Sequence, residues 1–168
     1  MYTHFLVPTD GSALSEAAAA SAIRLAKALG ARITALHVVP DLADAPLEAW
    51  ARGDTASRSR LRTVFEQQAR QYLAAIEQQA KKAGVRCACI SIAGGSPYEG
   101  ILKTAADQGC DLIYMASHGR KGTSALVLGS ETIKVLIHGT FPVLVHRKEA
   151  APTGAATAAD ELSSSRKE

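Results

Sequence analysis

Asp111-Leu112-Ile113-Tyr114-Met115-Ala116-Ser117-His118-Gly119 carries five consecutive apolar residues straight into a polar, glycine-bearing turn. An uninterrupted apolar run of this length reads as a strand covered on both faces, the situation of a parallel sheet with helices on either side. Upstream, Ser96-Pro97-Tyr98-Glu99 has the form of a capping box with a first-turn proline, opening a helix that carries Ile101, Leu102 and Ala105 and stops at Gly109. Val85 to Ile92 is a second strand-like run, preceded by a helical pattern from Leu61 through Val64, Phe65, Ala69, Tyr72, Ile76 and Ala80 to Gly84.

Further back, Asp41 to Ser59 mixes Ala, Asp, Pro, Arg and Ser without period and reads as a flexible surface insertion, with some helix near Trp50. Ile33 to Val39 is a strand closed by Pro40. Leu14, Ala18, Ala22, Leu25 and Leu29 recur at helical spacing, with Gly30 placed for a left-handed C-terminus. Phe5-Leu6-Val7 is a first strand breaking into Pro8-Thr9-Asp10-Gly11-Ser12. Downstream, a short helix from about Ser130 to His138 precedes Gly139 and a last strand, Pro142-Val143-Leu144-Val145. Residues 149–168 are Ala, Thr, Ser, Gly and charge, the composition of a disordered tail. One domain over residues 1–148 follows, with the order β-α-β-α-β-α-β-α-β. Such alternation implies an α/β fold, a parallel sheet with right-handed crossovers and helices on both faces.

Composition narrows the function classes. The 168 residues are 47% hydrophobic and 21% charged, ordinary for a globular protein. A net charge of +3 without a continuous basic stripe, and only 5% aromatic residues, argue against nucleic-acid binding. The N-terminus lacks the cationic start and apolar core of a signal peptide, and Glu16, Arg24 and Lys27 interrupt the alanine-rich stretch well short of the ~18 apolar residues of a membrane span. Cys87, Cys89 and Cys110 cannot all pair within one chain. Cys87 and Cys89, two apart on a strand, share one face and read chiefly as buried small hydrophobes, with a redox or metal role as the rival reading. A cytoplasmic location is expected.

In sheets of this class ligands bind beyond the carboxyl ends of the strands. After the first strand stands Asp10, flanked by Gly11 and Ser12. After the fourth lies Ser117-His118-Gly119-Arg120-Lys121-Gly122, followed by Gly129-Ser130 at a helix start. Glycines let amides approach an anion, and a helix N-terminus adds unpaired donors and a positive dipole end. Ser130 suits both capping that helix and donating its hydroxyl to a phosphate. Asp10 suits a ribose hydroxyl or a divalent metal, though alone it reads more often as a turn or cap residue, whereas Gly119 with Gly129-Ser130 together point past ordinary turns. His118 has no activating partner at a fixed offset and reads as a loop residue, while His37 reads as packed within the sheet layer. Known phosphate motifs fail: Ile101 stands where a P-loop opened by Gly95 and Gly100 needs lysine, and no G-x-G-x-x-G follows the first strand. Nucleotide binding fits these residues, while nucleotide chemistry lacks apparatus.

The opening Phe5-Leu6-Val7-Pro8-Thr9-Asp10-Gly11-Ser12, Leu36-His37-Val38-Val39, Gly94-Gly95-Ser96-Pro97, Asp111 to Gly119, Leu128-Gly129-Ser130 and Pro142 to Val145 together resemble the universal stress protein family, in order and over residues 2–147. The resemblance implies a Rossmann-like, five-stranded parallel sheet in order 3-2-1-4-5 and a homodimer joined through Val143, Leu144 and Val145. The family's ATP-binding branch carries G-x-x-G, nine residues, then G-[ST]. Here Ala116 replaces the first glycine, while Gly119, Gly129 and Ser130 keep the pattern. By resemblance Asp10 and Val38 lie by ribose and adenine with Pro8 and Thr9 at the rim. Gly119, Arg120, Gly129, Ser130 and Thr132 hold phosphates, and Met115, Ala116 and Glu131 line the same cleft. Mg2+ would accompany the nucleotide, with Asp10 as its weak protein ligand. The implied role is a stress-response switch or partner-binding module, not an enzyme. Weak Mg-dependent ATP hydrolysis and a nucleotide-free interaction protein stand as alternatives. No membrane and no nucleic acid are among the expected partners.

Overall fold

The computed structural model describes residues 1–39, 55–119 and 128–147. Five strands, β1 (His4–Pro8), β2 (Arg32–Val39), β3 (Cys87–Ala93), β4 (Leu112–Ala116) and β5 (Val143–His146), alternate with four helices, α1 (Ala13–Leu29), α2 (Thr55–Ala83), α3 (Pro97–Asp107) and α4 (Ser130–His138). The strands form one parallel sheet in the order β3-β2-β1-β4-β5, as the resemblance implies.

The sheet is central because its inner strands bury both faces. Along β1, Phe5 and Val7 turn to one side and Leu6 to the other, all fully buried. Phe5 and Val7 join Ile33, Ala35 and Tyr114 against the alanine face of α1 and Leu73, Ile76 and Ala80 of α2. Leu6, Leu36, Ile113 and Met115 pack under Ile101 and Ala105 of α3 and Val135 of α4. Each fully buried large side chain contributes roughly 1.5–3 kcal/mol, so these two layers dominate folding. The one phenol in the first layer is satisfied: Tyr114 donates to Ser21 Oγ at 2.9 Å. Helix α1 ends on Gly30 at φ 68°, as its spacing predicts.

Four local expectations need correction. Helix α2 begins at Thr55, six residues before the first apolar position of its pattern, so residues 55–59 are helical rather than part of an insertion. Residues 41–54 of that insertion, Arg120 to Val127 and the tail from 149 lie outside the described residues. Ser96 does occupy the N-cap of α3, but its hydroxyl makes no capping bond, and Glu99 instead accepts from Tyr98 Oη at 2.9 Å. The α4 N-cap is Gly129, not Ser130, which is an exposed first-turn residue. Cys110 is buried, but Cys89 is exposed and Cys87 half-buried, because β3 is the outer strand of the sheet.

Among the described residues no helix is long and apolar enough to cross a membrane.

Candidate functional site

From β1 the chain moves one way to β2 and β3, then returns to β4 and β5 on the other side, so strand order reverses between β1 and β4. The loops leaving those two strands define the crevice.

The β1–α1 loop is closed by its own polar groups. Asp10 Oδ1 accepts from Ser12 N at 3.0 Å, an Asx turn, and Ser12 Oγ caps α1 by accepting from Ser15 N at 3.2 Å. Ser15 Oγ donates to Ser12 O at 2.9 Å, so in the 3.0 Å contact between Thr9 Oγ1 and Ser15 Oγ it is Thr9 that donates. Thr9 Oγ1 also accepts from Gly11 N at 3.1 Å. The Thr9 amide donates to Leu36 O at 2.8 Å, and its carbonyl accepts from His37 Nδ1 at 2.7 Å, which places a proton on that ring nitrogen. Every polar group of Thr9 is thus committed within the loop, which makes it a framework residue. Gly11 sits at φ +75° directly over Tyr72, and a Cβ there would fall 2.3 Å from the ring. Tyr72 in turn meets the His37 ring edge-on at 5.4 Å between centroids. Tyr72 is a support that the sequence gives no reason to separate from other core positions of α2.

The loop leaving β4 is built the opposite way. Ser117 N donates to His146 O and Gly129 N to Ser117 O, both at 2.7 Å, drawing the two ends of the loop together. This neck admits no side chain at Gly129, where a Cβ would lie 2.9 Å from His118 Cα. Thr132, fully buried, donates its hydroxyl to Ala116 O and Ser117 O at 3.1 and 3.2 Å, so its side chain anchors α4 to the end of β4. The first intrahelical bond is Ile133 N to Gly129 O at 3.0 Å, and among the described residues no side chain caps the helix. Among the described residues the amides of Ser130, Glu131 and Thr132 therefore have no partner, at the positive dipole end of α4.

The two loops meet at Asp10. A Cβ on Gly119 would lie 2.5 Å from Asp10 Oδ2, so the β4 loop passes directly against that carboxylate. Pro8, Val38 and Asp10 are half-buried at the strand ends. Met115 and Ala116 are buried in β4, Met115 toward α3 and α4 and Ala116 in the layer with Tyr114 and Val7. The Ala116 methyl is thus a core group. His118 Nδ1 stands 3.1 Å from Ser117 Oγ.

Glu131 serves neighbouring structure. Its Oε2 accepts from Tyr98 N at 2.9 Å, which caps α3 from α4, and its Oε1 accepts from Lys134 Nζ at 2.8 Å. That bond to Glu131 holds the Lys134 ammonium above its ordinary range. Arg120, the remaining expected phosphate contact, lies outside the described residues. Among the described residues no group of three His, Cys, Asp or Glu side chains is placed to hold a metal ion.

Comparison with known proteins agrees with this geometry. Residues 1–147 match the model of the universal stress protein family. The chain is 30% identical over 149 residues to universal stress protein YxiE of Bacillus subtilis, covering 88% of this chain and all of that one. Among solved structures it is similar to protein MJ0577 of Methanocaldococcus jannaschii, with a TM-score of 0.72 and 28% identity over 90% of this chain and 99% of the other. The fold is also shared with a universal stress protein solved in complex with cAMP, at TM-score 0.65, 20% identity and coverage of 88% and 99%. A further fold neighbour is the Archaeoglobus fulgidus protein solved with dAMP, at TM-score 0.62, 18% identity and coverage of 87% and 98%.

Proposed function

Because the chain belongs to the universal stress protein family, we propose that it binds an adenine nucleotide, ATP foremost, at the β1–β4 switch point. It would act as a dimeric, ligand-dependent partner-binding module rather than as an enzyme. One observation carries this reading: the N-terminus of α4, with no side-chain cap among the described residues, follows the loop that meets Asp10 at Gly119. Three orphan amides and a positive helix end suit a phosphate chain, and a carboxylate beside them suits a ribose hydroxyl. The residues present fit such a guest. Gly119 and Gly129 are hydrogen-only positions, and the Ala116 methyl packs in the core, so the departure from the family's first glycine puts no side chain between them. Two proteins of this fold are known with cAMP and dAMP, and the adenine moiety they share supports the ligand class.

Bound nucleotide would bring triphosphate charge and, with Mg2+, a divalent ion carried on the phosphates within reach of Asp10. The protein's part is positional: α4 amides orient the phosphates and Asp10 fixes the sugar side. Chromatography of the supernatant from heat-denatured protein, followed by calorimetric titration of the stripped chain with ATP and Mg2+, tests the reading. Saturable binding is expected. Silence at millimolar ATP would leave the nucleotide-free reading, and turnover abolished in a folded Asp10→Ala variant would make the protein a hydrolase.

The dimer rests on the far edge of the sheet. β5 is the terminal strand on that side, and Val143, Leu144 and Val145 are only half-buried. Beside it α4 exposes Ile133, Leu136 and Ile137, the last 69% accessible. An apolar edge of this kind invites a second copy. Leu144→Lys should yield monomers by light scattering, and a variant that stays dimeric would refute pairing through β5.

A further inference from the structure

We propose that Cys87 and Cys89 form a two-coordinate chelate for a soft, thiophilic monovalent cation of the copper(I) class. Both lie on β3, the edge strand opposite β5, in register with Ile33 and Ala35 and therefore on the same face, toward α2. The outer position leaves Cys87 half-buried and Cys89 exposed. Cys89 Sγ also donates to Leu73 O at 3.6 Å, which fixes its rotamer toward α2. An open groove of about 400 Å³, lined by Glu77, Gln78, Lys81, Val85 and Cys87, gives access from solvent.

Geometry selects the ligand. Residues two apart on a strand are about 6.6 Å apart at Cα, the wide end of the disulfide range, whose mode is nearer 5.5–6 Å. A direct S–S bond would pinch β3. With metal–sulfur bonds of about 2.3 Å, a bridging ion spans up to about 4.6 Å between sulfurs and needs far less contraction. The two thiols have no third metal-ligating group in place among the described residues. That suits a soft ion content with two thiolates and not zinc, whose structural sites take four ligands. Glu77 and Lys81 stand with Cys87 on the groove wall. Both cysteines are free thiols before the ion arrives. Capture breaks two S–H bonds, forms two S–Cu bonds, releases two protons to solvent and changes no oxidation state.

The test uses the reduced full-length chain under argon, titrated with copper(I) against bicinchoninate and read by thiolate-to-copper charge-transfer absorption. One ion per chain is expected. Cys87→Ser and Cys89→Ser should each weaken capture at least about a hundredfold, because the second bond is intramolecular, while Cys110→Ser binds like the parent and zinc(II) does not compete. On the unmutated chain, one equivalent of copper(I) should shield Cys87 and Cys89 from alkylation, as mapped by mass spectrometry. Weakened capture in Cys110→Ser, parental affinity in either single variant, or one ion per two chains would each overturn the proposal.

Discussion

The loops after β1 and β4 leave adjacent strands at the same end of the sheet, yet they solve the helix-start problem in opposite ways. At α1 the donors are met internally, by Ser12 Oγ and the Asp10 Asx turn. At α4 the N-cap is a glycine with no side chain to offer, and the nearest carboxylate on the helix, Glu131, turns away to cap α3. A glycine at the N-cap lowers stability by only about a few tenths of a kcal/mol relative to a Ser or Asp cap. On the proposed function, the first loop is framework and the second is the one that receives an anion.

The largest test of this contrast converts the open loop into the closed kind. Gly129→Asp supplies a capping carboxylate where the phosphates would sit, and like charges in contact cost several kcal/mol. ATP affinity should fall by about a hundredfold or more by calorimetry. Gly129→Ala, which shares the 2.9 Å encroachment on His118 Cα but adds no charge, should lose distinctly less. Equal losses would show that only space matters at the neck. Next in size, Gly11→Ala strikes the closed loop, combining a left-handed φ with a Cβ 2.3 Å from the Tyr72 ring. A loss of about 3 kcal/mol is expected, read as a melting point roughly 6–12 °C lower. Smaller again, Ser12→Ala removes a cap and should cost about 1 kcal/mol in stability with ATP affinity unchanged. A Ser12→Ala protein that melts normally but binds ATP poorly would reverse the roles assigned to the two loops.

The sequence made the strands and their alternation legible because the inner strands are continuous apolar runs and each helix carries a regular apolar stripe. Strand order came from family resemblance, since periodicity alone does not say which strands are neighbours. What escaped local reading depends on distant partners. Ser96-Pro97-Tyr98-Glu99 looks self-sufficient, but Glu131 from another helix reaches Tyr98 N first. Thr55 to Arg60 contains no large apolar residue to announce that α2 has begun. The exposure of Cys89 follows from β3 being an outer strand, a property of the sheet and not of the segment. In the site, the glycines and Asp10 were legible as types, whereas the internal commitment of Thr9 and the downward turn of Thr132 required the three-dimensional contacts.

The smallest expected effect lies at the opposite end of the same two strands, where no ligand is proposed and titration alone should be felt. His4 is buried and shares its Nε2 with Thr34 Oγ1 at 2.8 Å. Burial, with Arg32 adding to it, holds its imidazole below the usual 6.5. Close by, Asp111 accepts from Thr3 N, Thr3 Oγ1 and His4 N at 2.7–2.9 Å. Burial alone would raise that carboxyl, but the His4 and Thr3 donors outweigh it and hold it below 3.8. Both shifts have the same sign of consequence, since in each case the unfolded chain takes up the proton first. Stability linked to His4 is complete above 6.5 and erodes as pH falls through that value. The Asp111 contribution is complete above 3.8 and is lost only below it. Denaturant unfolding of the parent between pH 7.5 and 5 should therefore show a shallow decline that His4→Gln flattens, whereas Ser12→Ala shifts the whole curve without changing its slope. A decline that persists unchanged in His4→Gln would move the pH-sensitive group elsewhere, and the loops at the carboxyl ends of the strands would be the next place to look.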